Sequence, residues 1–253
     1  MKVNLNFSGL DPAGFGAFQD RISQAHNKIH DRSGEGSDYL GWVDFVTQLT
    51  PEVIDDVKRI GDQIRQEADV LVVIGIGGSY LGAKAVIEAL APGYGRKPEI
   101  LFAGNAMSSL DLTELIEYIR EKRVYLNVIS KSGTTLEPAI AFRVLRQFME
   151  QKYGAEADRR IIATTDRNKG ALLQLAKEKD YQRFVVPDDI GGRYSVMTPV
   201  GLLPIAAAGI NIDEFLDGFR EGEAEYADDN IETNQAYRYA LARNLLLDQG
   251  KSI

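Results

Sequence analysis

Five short apolar segments, separated by segments with helical periodicity, constrain the fold of this chain more than any other feature. The predicted strands lie at residues 70–74, 100–103, 124–129, 161–164 and 184–186, and residues 70–74 form a continuous apolar run. Continuous apolar runs of this length are typical of strands that are buried on both faces of a parallel sheet. The alternation therefore predicts an α/β fold, a doubly wound five-stranded parallel sheet with helices on both faces.

Helical patterns flank the predicted sheet in the sequence. Four segments carry apolar side chains at helical spacing: 11–32, 51–68, 213–226 and 232–247. We therefore divide the chain into a helical N-terminal extension (1–68), an α/β domain (69–209) and a helical C-terminal segment (210–253).

Composition limits the classes of partner and cofactor. The chain has 29 Lys and Arg residues against 37 Asp and Glu residues, a net charge of −8, and no basic run that would neutralise nucleic-acid phosphates. The sequence has no cysteine, which excludes disulfides and thiolate metal sites. It has neither a transmembrane-length apolar run nor a signal-peptide pattern, so we expect no membrane partner and a cytoplasmic location. His26 and His30 could share a metal ion, but no third ligand is evident, and we predict no metal site.

Three loops at predicted carboxyl ends of strands could carry chemistry, because ligands of open parallel sheets bind outside those ends. The first loop, residues 75–79, has three glycines that let the backbone approach an anion. It fails two phosphate motifs: Tyr80 replaces the third glycine of the dinucleotide motif, and Ala83 replaces the lysine of the P-loop. A tight turn with Ser79 as the helix N-cap explains this loop equally well.

The second loop, residues 130–135, has four hydroxyl side chains and one ammonium group at a single strand-to-helix turn. A phosphate monoester accepts several short hydrogen bonds from hydroxyl and backbone N–H groups, so this composition favours phosphate binding. The alternative is helix capping, since Thr134 and Glu137 have the spacing of a capping box and Pro138 suits a first helical turn. A capping box needs one hydroxyl rather than four, and we therefore predict a phosphate site.

The third loop, residues 191–195, has the sequence Gly-Gly-Arg-Tyr-Ser and follows the last predicted strand. Its paired glycines allow a sharp turn that could point Arg193 inward. A guanidinium group is always charged and would stabilise an oxyanion that forms on a substrate. A surface turn with a solvated arginine is the alternative interpretation.

Taken together and in this order, the three loops resemble those of the bacterial-type glucose-6-phosphate isomerase (phosphoglucose isomerase) family. The first two loops alone would fit any sugar-isomerase (SIS) domain, which has a flavodoxin-like fold. The third loop and the helical N-terminal extension are similar to the phosphoglucose isomerase branch. The resemblance covers essentially the whole chain and implies that residues 69–209 are the first SIS domain of such a protein.

The resemblance implies an aldose–ketose isomerase of glycolysis and gluconeogenesis. This family interconverts glucose 6-phosphate and fructose 6-phosphate through a cis-enediolate, without a metal or organic cofactor, at a site built at a homodimer interface. Arg193 is implied to be catalytic, because it would steady the charge of the enediolate. The residues implied to bind substrate are Gly78, Ser79, Ser130, Lys131, Ser132, Thr134 and Thr135.

One departure from the family pattern concerns the chemistry. In the family, the proton-transferring glutamate, the histidine that assists ring opening and a late lysine lie in a second SIS domain, downstream of the part that this chain resembles. Glu137 corresponds to a motif glutamate beside the phosphate loop. We therefore expect the 253 residues alone to lack the catalytic base. The alternative function is a non-catalytic SIS-type module that binds sugar phosphates.

Overall fold

The computed structural model describes residues 2–251 and contains the predicted five-stranded parallel sheet. The strand order is β2-β1-β3-β4-β5, which is the flavodoxin-like order, and each neighbouring pair is parallel. The predicted fold class is therefore confirmed. The strands are β1 (Val70–Ile74), β2 (Glu99–Ala103), β3 (Val124–Ile129), β4 (Ile161–Thr165) and β5 (Gln182–Val185).

Helices connect the strands and flank the sheet in sequence. Among the described residues, no helix combines the length and the apolar character that crossing a membrane requires. The helices are α1 (Gln19–His30), α2 (Phe45–Gln48), α3 (Pro51–Glu67), α4 (Gly78–Leu90), α5 (Ser109–Ile119), α6 (Leu136–Tyr153), α7 (Ala171–Glu178), α8 (Pro199–Ala207), α9 (Ile212–Glu225) and α10 (Gln235–Asp248).

Both faces of the sheet are covered. On one face, side chains of β1, β3 and β4 pack against α5, α6 and α7, and Ile119, Leu126 and Leu145 are fully buried there. On the other face, α3 packs against α8 so closely that a β-carbon on Gly61 would lie 2.9 Å from the β-carbon of Ala206. The central strands β1 and β3 are buried along their full length, as the continuous apolar sequence of β1 predicts, and β3 buries the polar side chain of Asn127 as well.

The sheet changes its winding direction at β1. The chain passes from β1 to β2 on one side of it and then returns to β3 on the other side. The loops that follow β1 and β3 therefore lead away from each other and leave a crevice at the carboxyl ends of these two strands. The first and second loops lie at this crevice.

Two predicted helices begin later than the sequence pattern suggests. Residues Pro12–Phe18 form a 3-10 helix before α1, in a stretch where Pro12, Gly14 and Gly16 weaken α-helical hydrogen bonding. The last helix begins at Gln235 rather than at residue 232, because the Asn234 side chain accepts hydrogen bonds from the N–H groups of the first turn.

The chain forms two compact units. One consists of residues 45–216 and contains the sheet, and the other consists of residues 2–44 and 217–251. In the second unit, Phe15, Ile22 and Leu241 are buried in one apolar core. The domain limits at residues 68 and 209 stay a prediction, although α3 belongs to the unit that contains the sheet.

Candidate functional site

A cleft of about 640 Å³ lies at the carboxyl ends of β1, β3 and β4. Its walls come from the first loop, the second loop, the start of α6 and the segment between β4 and α7. This is the position at which open parallel sheets bind their ligands. The polar side chains that line the cleft are Ser79, Ser130, Lys131, Ser132, Thr134, Thr135, Asp166 and Lys169.

The second loop is held by its own hydroxyl groups. Ser130 is buried, and its Oγ accepts a hydrogen bond from the Gly133 N–H at 3.0 Å. The Ser132 Oγ accepts from both the N–H and the hydroxyl of Thr134, at 3.1 and 3.0 Å. The hydroxyls of Ser132 and Thr134 still line the cleft on exposed residues, so this local network orients groups that a phosphate could reach.

The alternative interpretation of the second loop, a capping box, does not hold, because no capping hydrogen bond forms. Thr135, not Thr134, is the N-cap of α6, and its side chain makes no capping hydrogen bond. The Thr134 hydroxyl is bonded to Ser132 instead, which removes it from any capping role. The capping alternative is therefore wrong for this loop, and the Thr135 hydroxyl, at an exposed residue that lines the cleft, is not used by the helix end.

Two glycines let the second loop pack against the start of α7. Gly133 has φ +72°, and a β-carbon there would lie 2.3 Å from the Leu172 nitrogen. Gly170 has φ +107°, and a β-carbon there would lie 2.8 Å from the Ser132 carbonyl oxygen. The Ala171 N–H also donates to that carbonyl at 3.1 Å. These contacts fix the loop against a helix end without a side chain in between.

Lys131 lines the cleft and also makes an ion pair on its other side. Its Nζ donates to the Asp188 carbonyl oxygen at 2.8 Å and lies 3.3 Å from the Asp188 Oδ1. The pair is partly exposed, with 39% of the lysine side chain accessible. A phosphate in the cleft would compete with Asp188 for this ammonium group.

Asp166 is a cleft residue that the sequence analysis missed. It is only 2% exposed, and its Oδ1 accepts hydrogen bonds from the N–H groups of Asn168 and Lys169 at 2.7 and 2.9 Å. These two bonds hold the pKa of the Asp166 carboxyl below its ordinary value. The sequence did contain a signal for this turn, an Asp directly after a strand. Asp side chains in such positions often accept a hydrogen bond from the backbone N–H two residues later and form an Asx turn.

The first and third loops meet through two glycines. A β-carbon on Gly78 would lie 2.0 Å from the Gly192 carbonyl oxygen, so only glycine permits this approach. The N-cap of α4 is Gly77, with φ +56°, and the alternative interpretation of Ser79 as the N-cap is therefore wrong. Ser79 lines the cleft, whereas Gly78 does not.

Arg193 is not part of the cleft wall. It is exposed, on the 3-10 turn Gly192–Tyr194. The buried residue of the third loop is Ser195, whose Oγ donates to the Gly192 carbonyl oxygen at 2.8 Å. The expectation of an inward arginine is thus not met here, and its catalytic role stays a prediction.

The two histidines lie on α1, and neither is among the residues that line the cleft. Their ring centroids are 4.1 Å apart, and His26 Nδ1 lies 2.9 Å from the Tyr237 hydroxyl. Within residues 2–251, no group of three or more His, Cys, Asp or Glu side chains could hold a metal ion.

Comparison with known proteins identifies the family. The profile described as phosphoglucose isomerase matches residues 33–246, which include all three loops and the cleft. The chain belongs to the phosphoglucose isomerase family. This membership agrees with the resemblance that the three loop sequences carry, and it covers both the sheet and most of its helical flanks.

Curated relatives of this phosphoglucose isomerase family member are about twice its length. A glucose-6-phosphate isomerase of Clostridium perfringens is 52% identical over 244 residues, which cover 93% of this chain and 54% of that protein. A glucose-6-phosphate isomerase of Heliobacterium modesticaldum is 49% identical, with 100% of this chain and 58% of that protein covered. The chain thus spans little more than half the length of the relatives it matches.

Solved structures share the phosphoglucose isomerase family fold seen here. A hypothetical protein from Thermus thermophilus superposes with a TM-score of 0.82 at 27% identity, covering 92% of this chain and 55% of that one. A glucose-6-phosphate isomerase from Chlamydia trachomatis superposes with a TM-score of 0.68 at 24% identity, covering 89% and 48%.

The fold brings most of the predicted substrate-binding residues of this phosphoglucose isomerase family member to one cleft. Gly78 is the exception, and it meets the predicted catalytic residue Arg193 at the contact between the first and third loops rather than in the cleft wall. The predicted residues that line the cleft are Ser79, Ser130, Lys131, Ser132, Thr134 and Thr135.

Proposed function

We propose that this chain provides the phosphate-binding part of an enzyme that interconverts glucose 6-phosphate and fructose 6-phosphate. The observation that carries the proposal is the convergence of four hydroxyl residues and Lys131 of the second loop on one cleft. Hydroxyl and ammonium groups donate short, charge-assisted hydrogen bonds to phosphate oxygens. The family membership supports the choice of a hexose phosphate over other phosphate esters.

The isomerisation would move a proton between C1 and C2 through an enediolate, whose charge the substrate lacks. Ser79, in the part of the wall that the first loop forms, would face the sugar. Arg193 would stabilise the enediolate after a shift of its exposed side chain towards the substrate.

The alternative, a non-catalytic module that binds sugar phosphates, is favoured by one observation. Among the described residues that line the cleft, Asp166 is the only carboxylate. Two backbone N–H groups stabilise its ionised form and keep its pKa low, which makes it a weak base for a carbon-bound proton. Phosphate binding is common to both functions, whereas turnover separates them.

We also propose that the enzyme works as a homodimer, and that it is cytoplasmic. Support for a dimer comes from large apolar side chains that are exposed on helices of the sheet unit: Leu110 on α5 is 63% exposed, and Leu136 on α6 is 56% exposed. The cytoplasmic location rests on the sequence expectation alone. Sedimentation equilibrium of the purified protein tests the dimer.

Calorimetric titration with 6-phosphogluconate tests the phosphate site. Replacing Ser130 and Thr135 together with alanine removes two hydroxyl donors, and we expect the affinity to fall about tenfold or more. The Thr135→Ala variant alone should weaken binding by a smaller factor, and it leaves the Ser130–Gly133 hydrogen bond in place. A dissociation constant that is unchanged in the double variant would overturn the assignment.

A matched double variant controls for the loss of hydroxyl groups as such. Ser33 and Thr47 are exposed and lie outside the cleft. The Ser33→Ala/Thr47→Ala variant should bind 6-phosphogluconate as tightly as the unaltered chain. Thermal unfolding of each variant establishes that a lost titration signal reflects the site and not the fold.

A further inference from the structure

A second cavity, of about 320 Å³, lies behind the second loop between α6 and α7. It shares Ser130, Pro138 and Ala171 with the phosphate cleft, and none of its other lining residues lines that cleft. Most of its wall is apolar. The residues that line it are Val128, Ser130, Gly133, Pro138, Ala139, Phe142, Arg143, Arg146, Ala171, Leu172 and Leu175.

Two arginines of α6 provide the charge at this cavity. Arg143 and Arg146 are three residues apart and therefore lie on the same side of the helix. Arg143 is exposed and makes no ion pair with any described residue. The Arg146 Nε is buried and lies 3.4 Å from the Glu150 Oε1 without making a hydrogen bond, and the Arg146 guanidinium group also lies near the Tyr181 hydroxyl.

A buried guanidinium N–H without a hydrogen-bond partner is unfavourable, because desolvation is not repaid by a bond. Glu150 is partly exposed, at 42% of its side chain, and neutralises Arg146 incompletely. Arg143 adds a second positive charge at the same mouth. The cavity thus combines an apolar interior with a cationic rim, and that rim offers planar donors suited to a carboxylate.

We propose that this cavity is a second ligand site, which binds a small carboxylate with a compact apolar body. The carboxylate would accept hydrogen bonds from Arg143 and Arg146. The apolar body would pack against Phe142, Leu172 and Leu175. The proposal does not rest on the proposed function of the phosphate cleft, because none of the cationic residues that carry it lines that cleft.

Competition with phosphate distinguishes this site from the cleft. A ligand held by the arginines of α6 stays bound when inorganic phosphate saturates the second loop. A carboxylate that occupied the phosphate cleft would instead be displaced. A comparison of a carboxylate ligand with its neutral amide shows whether binding depends on the negative charge or only on burial of the apolar body.

The probe is 3-phenylpropionate, titrated into the whole chain with ¹³C-labelled leucine methyl groups. We expect saturable shifts of the Leu172 and Leu175 methyl signals with a dissociation constant of about 1 mM, a typical affinity for a ligand of this size. The amide, 3-phenylpropionamide, should bind at least about tenfold more weakly. Equal binding of the amide, an absence of saturable shifts up to about 10 mM, or displacement by inorganic phosphate would each overturn the proposal.

Substitutions at the cavity test whether Arg143 and Arg146 bind the carboxylate group. Arg143→Gln/Arg146→Gln should weaken 3-phenylpropionate at least about tenfold, whereas Arg159→Gln, a change at an exposed arginine outside the cavity, should leave it unchanged. If the double variant fails to fold, Ala139→Leu provides the decisive test, since it fills the cavity from the helix surface without altering charge. Unchanged binding in the variant that folds overturns the site.

Discussion

Single atoms decide whether the first and third loops can meet. Gly78 has no β-carbon, and a methyl group there would overlap the Gly192 carbonyl oxygen. The neighbouring Gly191 has ordinary backbone geometry, with φ −70°, and open space around its α-carbon. Gly78 and Gly191 cannot be told apart by their sequence context, yet only Gly78 lies in a contact that a side chain would prevent.

We expect Gly78→Ala to lower the free energy of unfolding by about 1–3 kcal/mol, because the added methyl group must displace the third loop. Gly191→Ala is the matched control and should change stability by less than about 0.5 kcal/mol. Urea denaturation of the two variants measures both effects. Equal midpoints for Gly78→Ala and the unaltered chain would mean that the two loops are not packed as described.

The expected role of Arg193 is to stabilise charge that develops on the enediolate rather than to bind the ground state. The residue is exposed and is not part of the cleft wall. We therefore expect Arg193→Gln to change the affinity for 6-phosphogluconate by less than about twofold. Lys131→Gln, in the cleft wall, should weaken the same ligand several-fold and serves as the positive control. If calorimetry finds that Arg193→Gln loses more affinity than Lys131→Gln, Arg193 is a ground-state binding residue.

At the scale of elements, one carboxylate joins the beginnings of two central strands. Asp69 precedes β1, and its side chain accepts hydrogen bonds from the backbone N–H and the guanidinium group of Arg123, which precedes β3. The Nζ of Lys97, which precedes β2 in the sequence, lies 3.6 Å from the Asp69 Oδ1. The Arg123 guanidinium and N–H hold the pKa of the Asp69 carboxyl well below its usual range.

This carboxylate predicts a specific pH dependence of stability. Because the folded-state pKa is lowered, the contribution of Asp69 is present above its unfolded pKa of about 4 and is lost as the pH falls below that value. We expect Asp69→Asn to be about 1 kcal/mol less stable than the unaltered chain at pH 7, with a difference that narrows below about pH 4. Urea unfolding at a series of pH values measures it. Asp55→Asn, at an exposed position, is the control, and a difference that stayed constant down to about pH 2 would contradict the assignment.

The sequence predicted the elements of the sheet well, because each strand contains a short, mainly apolar segment that is recognisable without tertiary information. It located element ends less well, since these depend on single hydrogen bonds. The side chain of Asn234 delays the start of α10, and the hydrogen bond between Thr134 and Ser132 prevents a capping box whose residues are all present. Such local competition between partners cannot be resolved from spacing alone.

The candidate site was predicted from the chemistry of its loops, and the hydroxyl residues of the second loop do converge on one cleft. Asp166 was missed because its importance comes from burial, which a single Asp in a loop does not reveal. Arg193 was expected to point inward because a glycine pair permits such a turn. The backbone of the third loop instead contacts Gly78 through Gly192, which leaves the arginine side chain exposed.

At the scale of the whole molecule, the proposed phosphate cleft has no strong base among the described residues that line it. We predict that the 253 residues alone do not isomerise glucose 6-phosphate at an enzymatic rate, because proton transfer by a positioned base contributes about 10²–10⁴-fold. A coupled assay on the purified chain, with a mock purification to control for host isomerase, measures this. Turnover comparable with that of a full-length relative would contradict the prediction, and Glu137→Gln and Asp166→Asn would then identify the base.

The packing of the second loop on α7 has a consequence for how this protein can evolve. Gly133 lies in the second loop and Gly170 lies directly before α7. Neither has a side chain, and each packs against the backbone of the opposite segment. A substitution at either position must therefore be accompanied by a change in the opposite segment, so that the effects of the two mutations do not add. Lineages that alter the specificity of this cleft are expected to exchange the two segments together, as one inherited block.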